Sequence, residues 1–200
     1  MSYLLAFAPW IVYAVIPSSQ WQWAALAALL ISAATLAWSV GKRRPAASMI
    51  IQIGSLAFFA AATALAFVEP HTALHPYLPA LSNGWLAVIS WFSLAIRQPF
   101  TLGIAKLDTP REVWHQPLFI RTNVIITLVW AIAFALGAAA LAACGATGAG
   151  SGIVVAVQIA SFVVPIAFTV RYVALVQRRV AHLRAQARAA PTDPAPSPQR

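Results

Sequence analysis

Residues 97–121, RQPFTLGIAKLDTPREVWHQPLFIR, gather four of the thirteen basic residues and two of the four acidic ones, Asp108 and Glu112. Either this stretch is a catalytic loop on a soluble domain or it is the joint between two membrane helices, and the choice decides the fold. Its flanks settle the matter. On one side residues 122–143, TNVIITLVWAIAFALGAAALAA, carry no charge, and on the other neither does GWLAVISWFSLAI at 84–96. An uncharged run of roughly 20 apolar residues is what a helix needs to cross the hydrocarbon core.

The rest of the chain follows the same rule. Hydrophobic residues make up 61% and charged ones only 8%, against about 25% charged in soluble proteins. A membrane β-barrel would alternate polar and apolar residues in segments of about ten. Here the runs are unbroken Ala, Leu, Ile, Val and Phe, so the expected class is an all-α polytopic transmembrane bundle. The single cysteine, Cys144, excludes an intrachain disulfide. The start, MSYLLAFAPW, lacks the basic opening of a secretory signal, and is expected to be retained.

Working outward, the runs predict six spans. The first, Met1 to Ile16, gives only about 24 Å of helix and contains Pro9, so it either crosses under strain or leaves five spans. The second covers Trp21 to Val40 and ends at Gly41 and the tribasic turn Lys42–Arg43–Arg44. The third covers Ser48 to Val68. A Pro-rich loop without a basic residue, EPHTALHPYLPALS, follows at 69–82 and is expected outside.

The fourth span is expected from Gly84, capped by Ser82 or Asn83, to Ala105, with a kink at Pro99. Thr109, Pro110 and Glu112 fit a capping box, predicting a short helix through Trp114 that ends before Pro117. The fifth span is expected over Ile120–Ala143 and the sixth over Ile153–Val176. These spans form a domain over 1–176. Residues 177–190 form a basic amphipathic helix, since Val176, Val180, Leu183 and Ala187 recur at helical spacing, and 191–200 are a disordered Pro-rich tail.

Six spans bring the turn at 42–44, the stretch 97–121 and the C-terminal segment to one side, with all thirteen basic residues. Positive loops stay in the cytoplasm. The expectation is therefore a multi-pass membrane protein with both termini cytoplasmic. The +9 net charge follows from that placement and calls for no nucleic-acid partner.

Few residues carry chemistry. Arg97 would sit in the inner part of the bilayer, as a contact for an anionic headgroup or substrate, as a buried partner of Asp108 or Glu112, or as an anchor that snorkels. Asp108 and Glu112 are four apart, an acid–base spacing on a helix, but the predicted capping box already employs Glu112. His71 and His75 have the i, i+4 metal spacing, yet Pro70 and Pro76 break the helix that spacing requires. His115 and His182 fall outside the spans, which disfavours haem ligation. No catalytic residue, metal or cofactor is assigned. The candidate lipid or partner contacts are Arg97, Gln98, Lys106, Arg111, Trp114, Arg121, Arg178 and Arg179. A candidate polar cavity would gather Gln52, Arg97, Asn123 and Gln158.

Gln98, Lys106, Pro110, Val113, Trp114, Arg121, Asn123, Trp130, Ala131 and Phe134 together resemble the bacterial intracellular septation protein A family over about forty residues. In that family a cytoplasmic Val-Trp pair precedes Arg and Asn and then a span with Trp-Ala and Phe. The chain departs from it in the spacer HQPLFI and in the sixth span with its basic tail. The resemblance implies an inner-membrane protein tied to the envelope or division machinery, without assigned chemistry. The leading expectation is a non-enzymatic protein whose basic face binds membrane lipids or partner proteins, with homo-oligomers included. A transporter or channel and an accessory subunit of a larger complex are the alternatives.

Overall fold

The computed structural model describes residues 2–16 and 18–189, and these build a helical bundle with no strand among them. Its helices are α1 (Ser2–Val15), α2 (Trp21–Gly41), α3 (Ile50–Val68), α4 (Leu78–Ala95), α5 (Phe100–Ala105), α6 (Pro117–Thr147) and α7 (Ser151–Ala189). Five elements are long and apolar enough to cross a membrane: α2, α3 with its preceding 3-10 turn, α4 with its own, α6 and α7. This is a membrane protein.

Successive long helices run antiparallel. Trp23 on α2 meets Phe67 on α3 at 6.0 Å. On α6, Trp130 donates to Thr169 of α7 at 3.1 Å. The bundle thus has a basic end, holding Lys42–Arg44, Arg97 and the start of α6, and a far end, holding residues 69–77 and 148–150. The core is aromatic. Phe7 stacks on Trp130 at 4.9 Å and 7°, and Phe100, Phe134 and Phe162 close around the pair. Such ring pairs add about 0.5–1.5 kcal/mol each beyond their burial.

The first segment is apolar, as expected, but α1 has 14 residues, or about 21 Å. It packs beside the long helices with Ala6, Phe7 and Trp10 buried, while Ile11 and Val15 are exposed. Trp10 donates its indole N–H to Ser55 of α3 at 2.7 Å, which satisfies a polar atom that would be costly to leave bare in the core.

The fourth span differs from the expectation of 84–105 in both boundaries. It begins at Leu78, because Pro76 and Pro79 occupy the preceding 3-10 turn and the first helical turn, where a missing N–H removes no helical bond. Ser82 and Asn83 are therefore buried helix residues and not caps. It stops at Ala95, and α5 is a separate helix. Arg97 adopts φ +56°, its N–H bonding Leu94 and that of Gln98 bonding Ser93, the 5→2 and 6→1 pair of a Schellman stop. Ser93 then bridges the break: its hydroxyl donates to Ser90 at 2.7 Å and accepts the Phe100 N–H at 3.2 Å.

The same device ends α2. Arg43 has φ +51°, with Arg43 N–H on Val40 and Arg44 N–H on Ser39. Ser39-x-x-x-Arg43-x-Pro45 and Ser93-x-x-x-Arg97-x-Pro99 are the same pattern at one constant offset. The two turns that follow pack on each other so closely that a Cβ on Gly103 would collide with the Ala47 carbonyl.

The expected capping box does not form. Thr109 directs its hydroxyl backwards to Ala105 at 2.7 Å, and residues 111–113 make a single 3-10 turn with no side-chain cap. The fifth span, α6, starts at Pro117 and reaches Thr147, where Gly148 at φ +63° caps it. The basic segment at 177–189 continues α7 without a break. The tail at 191–200 lies outside the described residues.

Candidate functional site

Two features stand out, the basic end and a pair of adjacent cavities. At the basic end the cations are held by tryptophans. The Arg44 guanidinium lies 4.3 Å from the Trp38 ring, and Lys106 and Arg111 lie 5.4 and 5.7 Å from Trp114. Trp114 is itself fixed by its indole N–H on the Thr109 carbonyl at 3.0 Å. Stacking on an aromatic face holds a cation without neutralising it. Lys42, Arg43, Arg97, Arg111 and Arg121 are exposed around this core, as is Gln98. Arg178 and Arg179 are exposed farther along α7.

Arg97 is thus at the surface and not within a span. Its backbone is the point of interest, since a left-handed conformation costs a non-glycine residue roughly 1–2 kcal/mol. Arg97→Gly is expected to raise stability by up to about 1 kcal/mol, net of added chain entropy, while removing the charge. Arg97→Val should lower it by about as much. Unfolding titrations in mixed detergent and sodium dodecyl sulfate read both, and a loss of stability in the glycine variant would show that the guanidinium itself supports the fold.

Below the basic surface lies a buried polar node. Thr101 on α5 donates to the Asn123 carbonyl at 2.9 Å and meets the Thr127 hydroxyl at 2.7 Å. Asn123 turns its own amide onto Phe119 at 2.9 Å. These bonds fasten α5 to α6 and leave Asn123 as a structural residue. Gln52, near the start of α3, is buried with Oε1 unpartnered.

The four residues of the expected polar cavity are not brought together. Arg97 is exposed and Gln52 and Asn123 are buried toward the basic end, whereas Gln158 sits near the start of α7. Gln158 alone of the four lines either cavity. Its Oε1 accepts the Asn83 amide at 2.9 Å across α4 and α7. Asn83 was invisible as a site residue in the sequence because its position matched a helix cap. A paired reading of Asn83 and Gln158 as polar residues in uncharged spans would have been the available signal.

The cavities lie on opposite sides of Gln158. One, of about 590 Å³, occupies the far end and is lined by Tyr13, His75, Ser82 and Gln158 among apolar neighbours. The other, of about 400 Å³, is a crevice between α1 and α7 walled by Phe7, Trp10, Ile11, Trp130, Phe162 and Val163. Ala14, Val15 and Gln158 line both, so the two are adjacent. Among the described residues no group of three or more His, Cys, Asp and Glu side chains could hold a metal ion. His71 is exposed, and His75 turns its ring against Trp21 at 5.7 Å.

The far side of α7 is open. Over its most apolar stretch only 11% of residues are buried, against 50% in α4, which makes it the outermost helix. Leu136, Ile159, Val164 and Val170 are among the large apolar side chains left exposed, as a hydrocarbon surround allows. No family model, curated protein or solved structure matches the chain; among its described residues the architecture is that of a membrane protein with five long apolar helices and two shorter ones, α1 and α5.

Proposed function

We propose that the chain is a non-enzymatic protein of the bacterial inner membrane whose basic end faces the cytoplasm and holds anionic lipid headgroups. The single observation behind this reading is the tryptophan-mounted cluster of cations at one end of the bundle, with Lys106 and Arg111 sharing Trp114 and Arg44 on Trp38. Cations next to a span are worth about 1 kcal/mol each against an anionic leaflet. Retention of basic segments in the cytoplasm gives the orientation. A tie to the envelope or to division rests on the resemblance carried by Val113, Trp114, Arg121 and Asn123.

The test uses the protein in nanodiscs with spin-labelled phosphatidylglycerol or phosphatidylcholine. The native chain should retain phosphatidylglycerol in preference. Arg97→Gln, Arg111→Gln and Arg121→Gln combined should reduce that preference severalfold. Raising the salt from low to physiological strength should do the same in part, because the screening length shrinks to about 8 Å. Equal retention of the two lipids by the native chain would overturn the reading and leave a protein partner as the ligand of this face.

A further inference from the structure

We propose that the crevice between α1 and α7, together with the far-end cavity adjacent to it across Gln158, is a binding site for an acyl lipid with an uncharged, oxygen-bearing head, of which diacylglycerol is an example. The site is separate from the basic end and does not depend on the function proposed for it.

The shape carries the argument first. The crevice opens sideways, where Ile11, Val15, Ile159, Val163, Ile166 and Val170 are all exposed, so a ligand enters from the hydrocarbon and not from water. Its α7 wall from Gln158 to Val170 extends about 18 Å at 1.5 Å per residue, a length suited to a long alkyl chain. The volumes of about 400 and 590 Å³ lie within the range of roughly 300–1,000 Å³ usual for small-molecule sites.

Chemistry supplies the polarity. The crevice wall is apolar up to Gln158 and Thr169, whereas the cavity beyond Gln158 gains Tyr13, His75 and Ser82. An amphiphile would meet this sequence of surroundings in the same order. At the boundary Gln158 uses Oε1 to accept from Asn83, which leaves its Nε2–H₂ as a donor for an ester or hydroxyl oxygen. No Lys, Arg, Asp or Glu lines either cavity. Apart from the His75 imidazole, a phosphate would arrive there without a counter-charge, and burying a poorly paired charge is costly. The head is therefore uncharged.

The experiment is photo-labelling of the full chain in nanodiscs with a diazirine-bearing diacylglycerol, then with phosphatidylglycerol carrying the same chain, followed by mapping of the labelled peptides. Label from diacylglycerol should concentrate on residues 11–15 and 159–170. Val163→Trp, at an exposed position that can accept bulk without disturbing the core, should remove most of it. Gln158→Leu should weaken it about fivefold, the worth of one ordinary hydrogen bond. Label spread evenly over other lipid-facing positions such as Leu30 and Leu136 would mean annular lipid only and overturn the site. Equal labelling by phosphatidylglycerol would overturn the choice of head. Cross-links joining two copies of the chain through this face would overturn the lipid itself.

Discussion

Gly103→Ala should unfold the basic end of the bundle. The added Cβ meets the Ala47 carbonyl and stands 2.6 Å from the Ala47 carbonyl carbon and 2.8 Å from the Ser48 Cα. All three are backbone atoms, and none can swing aside as a side chain would. Accommodation requires α5 to part from the 46–49 turn, and α5 is also tied to α6 through Thr101, Asn123 and Thr127. A cost of about 3 kcal/mol or more follows, the upper range of overpacking. Gly54→Ala is the matched control. The atoms nearest its Cβ all belong to the Ile89 side chain, which can change rotamer, so the loss should be about 1 kcal/mol. Unfolding titrations of the two variants decide the point, and equal losses would mean that the 46–49 turn yields as readily as a side chain.

Trp130→Ala should be the most damaging truncation in the aromatic core. The ring is 2% exposed, stacks on Phe7, contacts Phe100 and Phe162 edge-on and donates to Thr169. It therefore joins α1, α5, α6 and α7. In water such a truncation costs about 3–5 kcal/mol. Inside a bilayer the unfolded reference is already apolar, so the packing share dominates, and about 2–3 kcal/mol is expected. The loss should be smaller for Trp130→Phe, which keeps the stack and forfeits the hydrogen bond. The two variants separate packing from bonding when compared by thermal unfolding in the same detergent. A near-silent Trp130→Ala would show that α1 and α7 are held without the shared ring.

The long spans were legible because composition alone marks a bilayer-crossing helix. Residues 21–40 and 120–143 needed nothing more. The break after α4 was legible only as a kink, since Pro99 announces that a helix is disturbed but not that it ends. What ends it is a left-handed Arg97 and the Ser93 hydroxyl reaching Phe100, and an arginine in that conformation has no propensity signature. The far-end loop was overextended for a related reason. Pro76 and Pro79 look like breakers, yet in a preceding turn or a first helical turn they are compatible with helix. Thr109 and Glu112 match a capping box letter for letter, but the threonine bonds backwards to Ala105. At the candidate site, the cations and Trp114 were visible as scarce polar residues in an apolar chain. The adjacent cavities were not, because they arise from how the first helix and the last pack against the rest of the bundle.

The shortness of α1 has a consequence for the membrane itself. About 21 Å of helix stands beside neighbours built for a hydrocarbon core of about 30 Å. On that flank the bilayer faces a hydrophobic mismatch, which it relieves by thinning at a modest cost for each ångström. Next to it the apolar stretch of α7, residues 153–176, runs about 36 Å and imposes the opposite demand. Membrane thickness must then change over the width of one crevice, and lipids of different chain length should sort there before any of them is bound.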